Sequence, residues 1–148
     1  LAKKYPEATI WLLDKTELKT DKINGFNKSY TFYNSLDATE QFLRDNGVTN
    51  KIIRLEASDD VLKKYNTKFD IIISLLSCGW HYPLSFYIQD INRSLSEKGV
   101  LILDIRHNTD QLVQASQHFV KLDTVINTNE SKHTGGTIGD RHIFCKRI

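Results

Sequence analysis

Runs of consecutive apolar residues alternate along the chain with segments of helical spacing and with polar loops. The two clearest runs are residues 69–76 (FDIIISLL) and 100–105 (VLILDI). An unbroken apolar run is typical of a strand covered on both faces, so we predict two adjacent, parallel, central strands of a sheet. Between them, Pro83 opens a predicted helix that ends at Gly99. The apolar positions of that helix recur at helical spacing: Leu84, Tyr87, Ile88, Ile91 and Leu95.

Shorter segments continue this alternation to both ends of the chain. Strands are predicted at residues 8–13, 51–55, 119–126 and 141–148, and helices at 36–46, from Ser58 onward and at 109–118. Strands that alternate with helices form βαβ units and a parallel sheet. The last two strands have no helix between them, which predicts an antiparallel pair at one edge. The predicted fold class is α/β, with a doubly wound, mostly parallel, Rossmann-like sheet.

Composition narrows the class of protein only a little. The chain has 148 residues, of which 40% are hydrophobic and 26% charged, so one domain spanning residues 1–148 is expected. The net charge is +2 with no basic stripe, which disfavours nucleic acid as a partner. No segment approaches the roughly 18 apolar residues of a membrane helix and none reads as a signal peptide, so we expect no membrane partner and a cytoplasmic location. The two cysteines are too few for a zinc site, and no metal is expected.

Candidate chemistry lies where the predicted strands end, because ligands of open α/β sheets bind beyond the carboxyl ends of the strands. Asp14 ends the first strand, where a carboxylate either accepts hydrogen bonds from ribose hydroxyls or is a solvated turn residue. Glu56 and Ser58 follow the second strand, where they either contact a base or cap a helix. Near the end of strand 100–105, one of Asp104, Arg106 and His107 is a candidate to line the same crevice. Arg106 and His107 could equally face solvent, and the sequence does not decide between these.

The segment after the most apolar strand has the sequence SCGWHYP, residues 77–83. It combines an imidazole and two aromatic rings at the carboxyl end of a strand and before a helix. His81 is the predicted general base, and Trp80 and Tyr82 are predicted walls for a substrate. The alternative is that the aromatic residues cover the sheet and the histidine caps the helix. Cys78 has no basic partner in sequence and is predicted to pack inertly.

Two sequence segments resemble those of a known family: KFDIIISLLS at residues 68–77 and, after a predicted helix, LSEKGVLILD at residues 95–104. Together they resemble the second half of class I S-adenosyl-L-methionine (SAM)-dependent methyltransferases. The SLLS and HYP segments and FYNSL at 32–36 are similar to sugar O-methyltransferases. The resemblance implies SAM as cofactor and assigns residues to it: Asp14 to the ribose, Glu56, Ala57 and Ser58 to the adenine loop, and Asn34 and Ser77 to further cofactor contacts. It places His81 with Trp80 and Tyr82 beside the acceptor, and His107, from its position near a strand end, is a further candidate substrate contact.

One family feature is absent from the sequence. In the family, a strand with a Gly-rich turn precedes the acid-bearing strand and lies between it and the strand that begins near Asp70. We therefore expect either an N-terminally truncated fragment, which alone binds SAM weakly or not at all, or direct pairing of the two flanking strands with loss of the cofactor site. The first reading predicts methyl transfer to an oxygen of a small, sugar-like acceptor in a longer enzyme. The second predicts a non-catalytic Rossmann-like binding module. The sequence predicts no oligomeric state.

Overall fold

The computed structural model describes residues 1–15, 35–58, 61–80, 82–126 and 139–147. These residues form two compact units, Leu1–Lys64 and Tyr65–Ile148. The described strands form two sheets, one in each unit, and the helices alternate with them as the sequence predicts. No helix in these ranges is both long and apolar enough to cross a membrane.

The first unit is a βαβ element. Strands β1 (Ile10–Asp14) and β2 (Ile52–Glu56) pair in parallel, and helix α1 (Leu36–Asp45) lies between them in the chain. The Ser35 side chain caps α1 by accepting a hydrogen bond from the Ala38 backbone N–H at 3.2 Å. Gly47 follows the helix at φ +76°, a left-handed conformation that suits glycine. A short helix, α2 (Val61–Lys64), ends the unit.

The second unit contains a four-stranded sheet in the order β3-β4-β6-β5. Its elements are β3 (Phe69–Ser74), a 3₁₀ turn (Leu84–Phe86), α3 (Ile88–Ser94), β4 (Leu95–Arg106), α4 (Gln111–His118), β5 (Phe119–Val125) and β6 (Gly139–Lys146). Strands β3 and β4 are parallel, whereas β6 runs antiparallel to both β4 and β5. The predicted neighbours are therefore adjacent, and the predicted antiparallel C-terminal pair lies at one edge.

The core of the second unit is built mainly from the predicted apolar positions. Leu84, Leu95, Leu101 and Leu103 are fully buried, and they pack with residues of α3, α4 and the C-terminal strands. The Phe119 and Phe144 rings pack against each other in this core, with their centroids 6.3 Å apart. This core holds the carboxyl ends of β3 and β4 side by side.

Two predictions about local structure are wrong. Residues 69–76 were expected to be covered on both faces, yet Ile71 and Ile73 are each 43% exposed. The reason is position: β3 is the edge strand of its sheet among the described residues, so its apolar run does not make it central. One helix was expected to run from Pro83 to Gly99, but a 3₁₀ turn occupies Leu84–Phe86 and α3 begins only at Ile88. The helix ends at Ser94, and β4 begins at Leu95. A register shift between Phe69 and Ile71 accommodates the extra residues of β4.

Candidate functional site

A cavity of about 260 Å³ opens in the second unit. Its walls come from the segment after β3, the end of β4, the end of β5 and the start of β6: Leu76, Trp80, Asp104, Val125, Ile126, Gly139 and Arg141. The walls are thus apolar or aromatic apart from one carboxylate and one guanidinium. This is the composition of a ligand site, in which a few polar groups orient a ligand held by apolar contacts.

The segment after β3 is held tightly against the end of β4. Gly79 has φ +91°, and a Cβ at this position would lie 2.9 Å from the Asp104 carbonyl oxygen. The Gly79 N–H donates to the Tyr82 carbonyl at 2.9 Å, and its carbonyl accepts from the Arg106 N–H at 3.2 Å. Only glycine satisfies both the left-handed backbone and this close approach. The loop that carries Trp80 is therefore fixed to β4.

A buried glutamine on α4 ties the two ends of this loop together. The Gln111 side-chain amide donates to the Gly79 carbonyl at 2.9 Å, and its oxygen accepts from the Leu84 N–H at 2.8 Å. Gln111 is 8% exposed, so both hydrogen bonds are sheltered from water. The amide thus fixes the separation between the residue before Trp80 and the residue after Pro83.

The polar part of the cavity is an ion pair across β4 and β6. The antiparallel register places Asp104 opposite Arg141. The Arg141 Nε donates to Asp104 Oδ1 at 2.7 Å, and its Nη2 donates to Oδ2 at 3.1 Å. The Asp104 side chain is 8% exposed and that of Arg141 is 44% exposed. The hydrogen bond to Asp104 raises the pKa of Arg141 above its usual value, so the guanidinium stays charged.

Trp80 forms the aromatic wall and is 5% exposed. The Arg106 guanidinium lies over its ring, with Cζ 5.9 Å from the centroid. Gly139 lies against the same ring, because a Cβ there would be 2.2 Å from the Trp80 Cζ3 atom. The indole is therefore locked between two strands and a loop. Trp80 lines the cavity, and its role as a substrate wall stays a prediction.

The other predicted residues of this unit lie at or near the surface. Ser77 is exposed, and its carbonyl accepts from the Trp80 and Tyr82 N–H groups at 2.9 and 3.1 Å. Tyr82 is 55% exposed and does not line the cavity. His107 is exposed, and its Nε2 lies 2.8 Å from Asp140 Oδ2. His81, the predicted base, lies outside the described residues.

Cys78 is buried, with 8% of its surface exposed. Desolvation raises the pKa of its thiol to about 12. The thiolate is the nucleophilic form of cysteine, so this side chain is not a nucleophile near neutral pH. This agrees with the inert packing that the sequence predicts.

The predicted nucleoside-binding residues belong to the first unit. Asp14 and Glu56 are directly opposite each other at the carboxyl ends of β1 and β2, and both are exposed. The Ala57 N–H donates to the Asp14 carbonyl at 2.8 Å, which continues the ladder into the loop. The Ser58 carbonyl accepts from the Val61 N–H at 3.1 Å, so the loop ends at helix α2. Asn34 lies outside the described residues.

Sequence reasoning missed three residues of the second-unit site: Gln111, Gly139 and Arg141. Each acts through a partner distant in sequence, as with Arg141 and Asp104, which are 37 positions apart. A signal existed only for Arg141, a cation in a strand predicted to pair at the edge of the sheet. Within the described ranges, no group of three or more histidine, cysteine or acidic side chains is arranged to hold a metal ion.

Comparisons with known proteins bear on the fold alone. No protein-family model matches the sequence, and no curated protein is similar to it. Among solved structures, a tRNA m1G37 methyltransferase from M. jannaschii aligns with a TM-score of 0.59 and 14% identity, over 95% of this chain and 38% of that protein. This chain therefore spans well under half the length of that enzyme.

Two further structures align over most of both chains. An rRNA methylase from Streptococcus thermophilus gives a TM-score of 0.53 and 16% identity over 96% of this chain and 89% of its own. A TehB-like SAM-dependent methyltransferase from Corynebacterium glutamicum gives 0.50 and 14%, over 95% and 80%. The chain thus has the α/β, Rossmann-like fold of SAM-dependent methyltransferases, and the predicted fold class is confirmed.

One expectation about partners is wrong. The net charge disfavoured nucleic acid and the family resemblance implied a small-molecule acceptor, yet two of these structural neighbours are by name a tRNA and an rRNA methyltransferase. Net charge averages over the whole chain and does not report how charge is distributed. In this protein, the Arg106 guanidinium lies over Trp80, and Arg141 lines the cavity beside that ring in an ion pair with Asp104. Nothing in the comparisons singles out a sugar acceptor.

Proposed function

We propose that this chain performs SAM-dependent methyl transfer and that its acceptor is RNA. The observation that carries the proposal is the likeness to the S. thermophilus rRNA methylase, which extends over 96% of this chain and 89% of that one. Because a fold supports many activities, the proposal also needs residues suited to the cofactor and to the acceptor. Each unit contributes one of these sets.

The first unit has residues that fit the nucleoside part of SAM. Ribose hydroxyls are hydrogen-bond donors, and the exposed carboxylates of Asp14 and Glu56 end adjacent parallel strands, where nucleotides bind in sheets of this class. We assign the ribose to Asp14 and the adenine to the loop of Glu56, Ala57 and Ser58. When bound, SAM supplies an electrophilic methyl group on a sulfonium. Asn34 and Ser77 remain proposed cofactor contacts.

The second unit has residues that fit the acceptor. Methyl transfer requires the acceptor atom to be held in line and its proton, where it has one, to be removed. We propose His81 as the base, because it lies between Trp80 and Tyr82 in the loop that Gly79 and Gln111 hold against β4. His107 remains a proposed acceptor contact.

Exposed aromatic rings on the same segment favour RNA over a sugar. Tyr82 is 55% exposed and Phe86 is 72% exposed, although both are large and largely apolar. Unpaired RNA bases stack on such rings, and each stacked base typically contributes about 1–3 kcal/mol. The Arg106 guanidinium, which lies over Trp80, supplies positive charge in the same unit, whereas the charge of Arg141 is balanced by Asp104.

Calorimetry of SAM binding to the full-length protein tests the cofactor assignment. Asp14→Ala should weaken binding by about 1–3 kcal/mol, since the ribose hydroxyls lose their charged acceptor. Asp45→Ala is the matched control, because Asp45 is an exposed acid of the same unit that accepts only from Gln41 at 2.7 Å among the described contacts. Equal affinities of the two variants would contradict the assignment. Absence of any SAM binding would leave the non-catalytic Rossmann-like module as the better description.

A further inference from the structure

We propose that the cavity beside the Asp104–Arg141 pair recognises a guanine base. The inference rests on the proposed function, since it names the base that an RNA acceptor would present. It depends on three features of the second unit: the N–H groups of Arg141 that do not donate to Asp104, the charge balance of the Asp104–Arg141 pair, and the apolar walls of the cavity.

Arg141 has a donor edge left over after pairing with Asp104. A guanidinium carries five N–H groups in a planar fork. Asp104 takes the Nε hydrogen and one Nη2 hydrogen, at 2.7 and 3.1 Å. Within the described part of the chain, this leaves the two Nη1 hydrogens and the second Nη2 hydrogen. One of the Nη1 hydrogens and the second Nη2 hydrogen point in parallel along the end of the fork. Asp104 thereby fixes the plane of the fork, and 44% of the Arg141 side chain is open to a ligand.

Such an edge matches two neighbouring acceptors in one plane. The O6 and N7 atoms of guanine have this arrangement, and their bidentate contact with arginine is the commonest specific contact to a base. Adenine presents a donor and an acceptor at the corresponding atoms, which would place its amino group against an N–H of Arg141. The fork therefore discriminates between the two purines.

The surroundings favour a neutral base over a phosphate. Asp104 balances the charge of Arg141 and would repel an anion next to it. Three other walls of the cavity are the apolar side chains of Leu76, Val125 and Ile126, which offer a phosphate no compensation for lost water. A flat base can bury its faces against such side chains and against Trp80.

The size of the cavity also suits a single base. Its volume is about 260 Å³. Pockets that take drug-sized ligands span roughly 300–1,000 Å³, so this one fits a smaller, planar fragment. A base turned out of an RNA strand is such a fragment, and enzymes that modify bases bind them in this way.

Equilibrium dialysis of the full-length protein against labelled nucleosides tests the proposal. Guanosine should bind saturably, and 7-deazaguanosine, which lacks N7, should bind roughly tenfold or more weakly because one hydrogen bond to a charged donor is lost. Adenosine should not compete, and inorganic phosphate should not displace guanosine. No saturable guanosine binding, equal binding of adenosine or 7-deazaguanosine, or displacement by phosphate would each overturn the proposal.

A conservative substitution then tests the fork itself. Arg141→Lys keeps the charge and removes the bidentate edge, and should weaken guanosine at least tenfold. Arg93→Lys is the control: Arg93 is an arginine of the same unit whose Nη2 donates to Asp90 at 2.7 Å, away from the cavity. Equal guanosine affinity in the two variants would refute the role of Arg141. SAM binding is measured on the same samples to separate failure of the two proposals. Guanosine binding without SAM binding would refute the methyltransferase proposal and leave the guanine site standing. SAM binding without guanosine binding would refute only the guanine site.

Discussion

Replacing Gln111 by leucine should destabilise the second unit, because this amide joins the Trp80 loop to the 3₁₀ turn. Leucine fills a similar volume and cannot hydrogen-bond. The Leu84 N–H would then lose the only partner described for it, inside a residue that is fully buried. The Gly79 carbonyl would keep the Arg106 N–H at 3.2 Å, so its loss is smaller. An orphaned buried donor costs about 1–3 kcal/mol and a lost bond whose acceptor keeps another donor about 0.5–1.5 kcal/mol, which gives roughly 1.5–4.5 kcal/mol in total.

Urea denaturation of the two glutamine variants of α4 gives the comparison. Gln117→Leu is the control, since Gln117 is an exposed glutamine of α4. We expect the free energy of unfolding to change by less than about 0.5 kcal/mol in the control. If Gln111→Leu is as mild as Gln117→Leu, this amide does not hold the loop.

Three further predictions concern titratable side chains. Cys78 should resist iodoacetamide at pH 7.5 in the folded protein while Cys145 reacts faster, because burial raises the pKa of Cys78 to about 12; equal labelling rates by mass spectrometry would contradict this. Burial, with Lys121 as a smaller cause, lowers the pKa of His142 in the folded protein. As the pH falls below about 6.5, the unfolded chain therefore binds more protons at this residue than the folded protein does, and the free energy of unfolding should decrease. His142→Gln should flatten this dependence in urea titrations, and an unchanged slope would refute it. His81→Ala should lower turnover roughly 10²–10⁴-fold with SAM affinity and melting temperature kept, and normal turnover removes His81 from the reaction.

The order of helices and strands could be predicted because it depends on local patterns. The apolar run at 69–76 predicted a strand, and β3 is present. The stripe of Leu84, Ile88 and Ile91 predicted a buried face, and all three residues are buried, although Leu84 lies in the 3₁₀ turn and the other two in α3. What an apolar run does not report is how many neighbours the strand has. For this reason the exposure of Ile71 and Ile73 could not be anticipated.

The sequence pointed to cavity residues only where they lie near the end of a strand. Trp80 was a candidate because it lies in the segment after β3, and Asp104 because it lies near the end of β4. Asp104 and Arg141 meet through the antiparallel register of β4 and β6, which no local pattern encodes. Gln111 reads in sequence as an ordinary polar residue of a surface helix, and only the packing of α4 against the loop buries it.

Transfer of a tritiated methyl group from SAM to RNA by the full-length protein is the most direct test of the proposed function. Total cellular RNA, total protein and a mixture of free sugars serve as parallel acceptors, and Asp14→Ala serves as the variant with impaired cofactor binding. We predict label in RNA alone, reduced in the variant and absent without the enzyme. Label in the sugar or protein fraction, or none in RNA under conditions where SAM binds, would contradict the account.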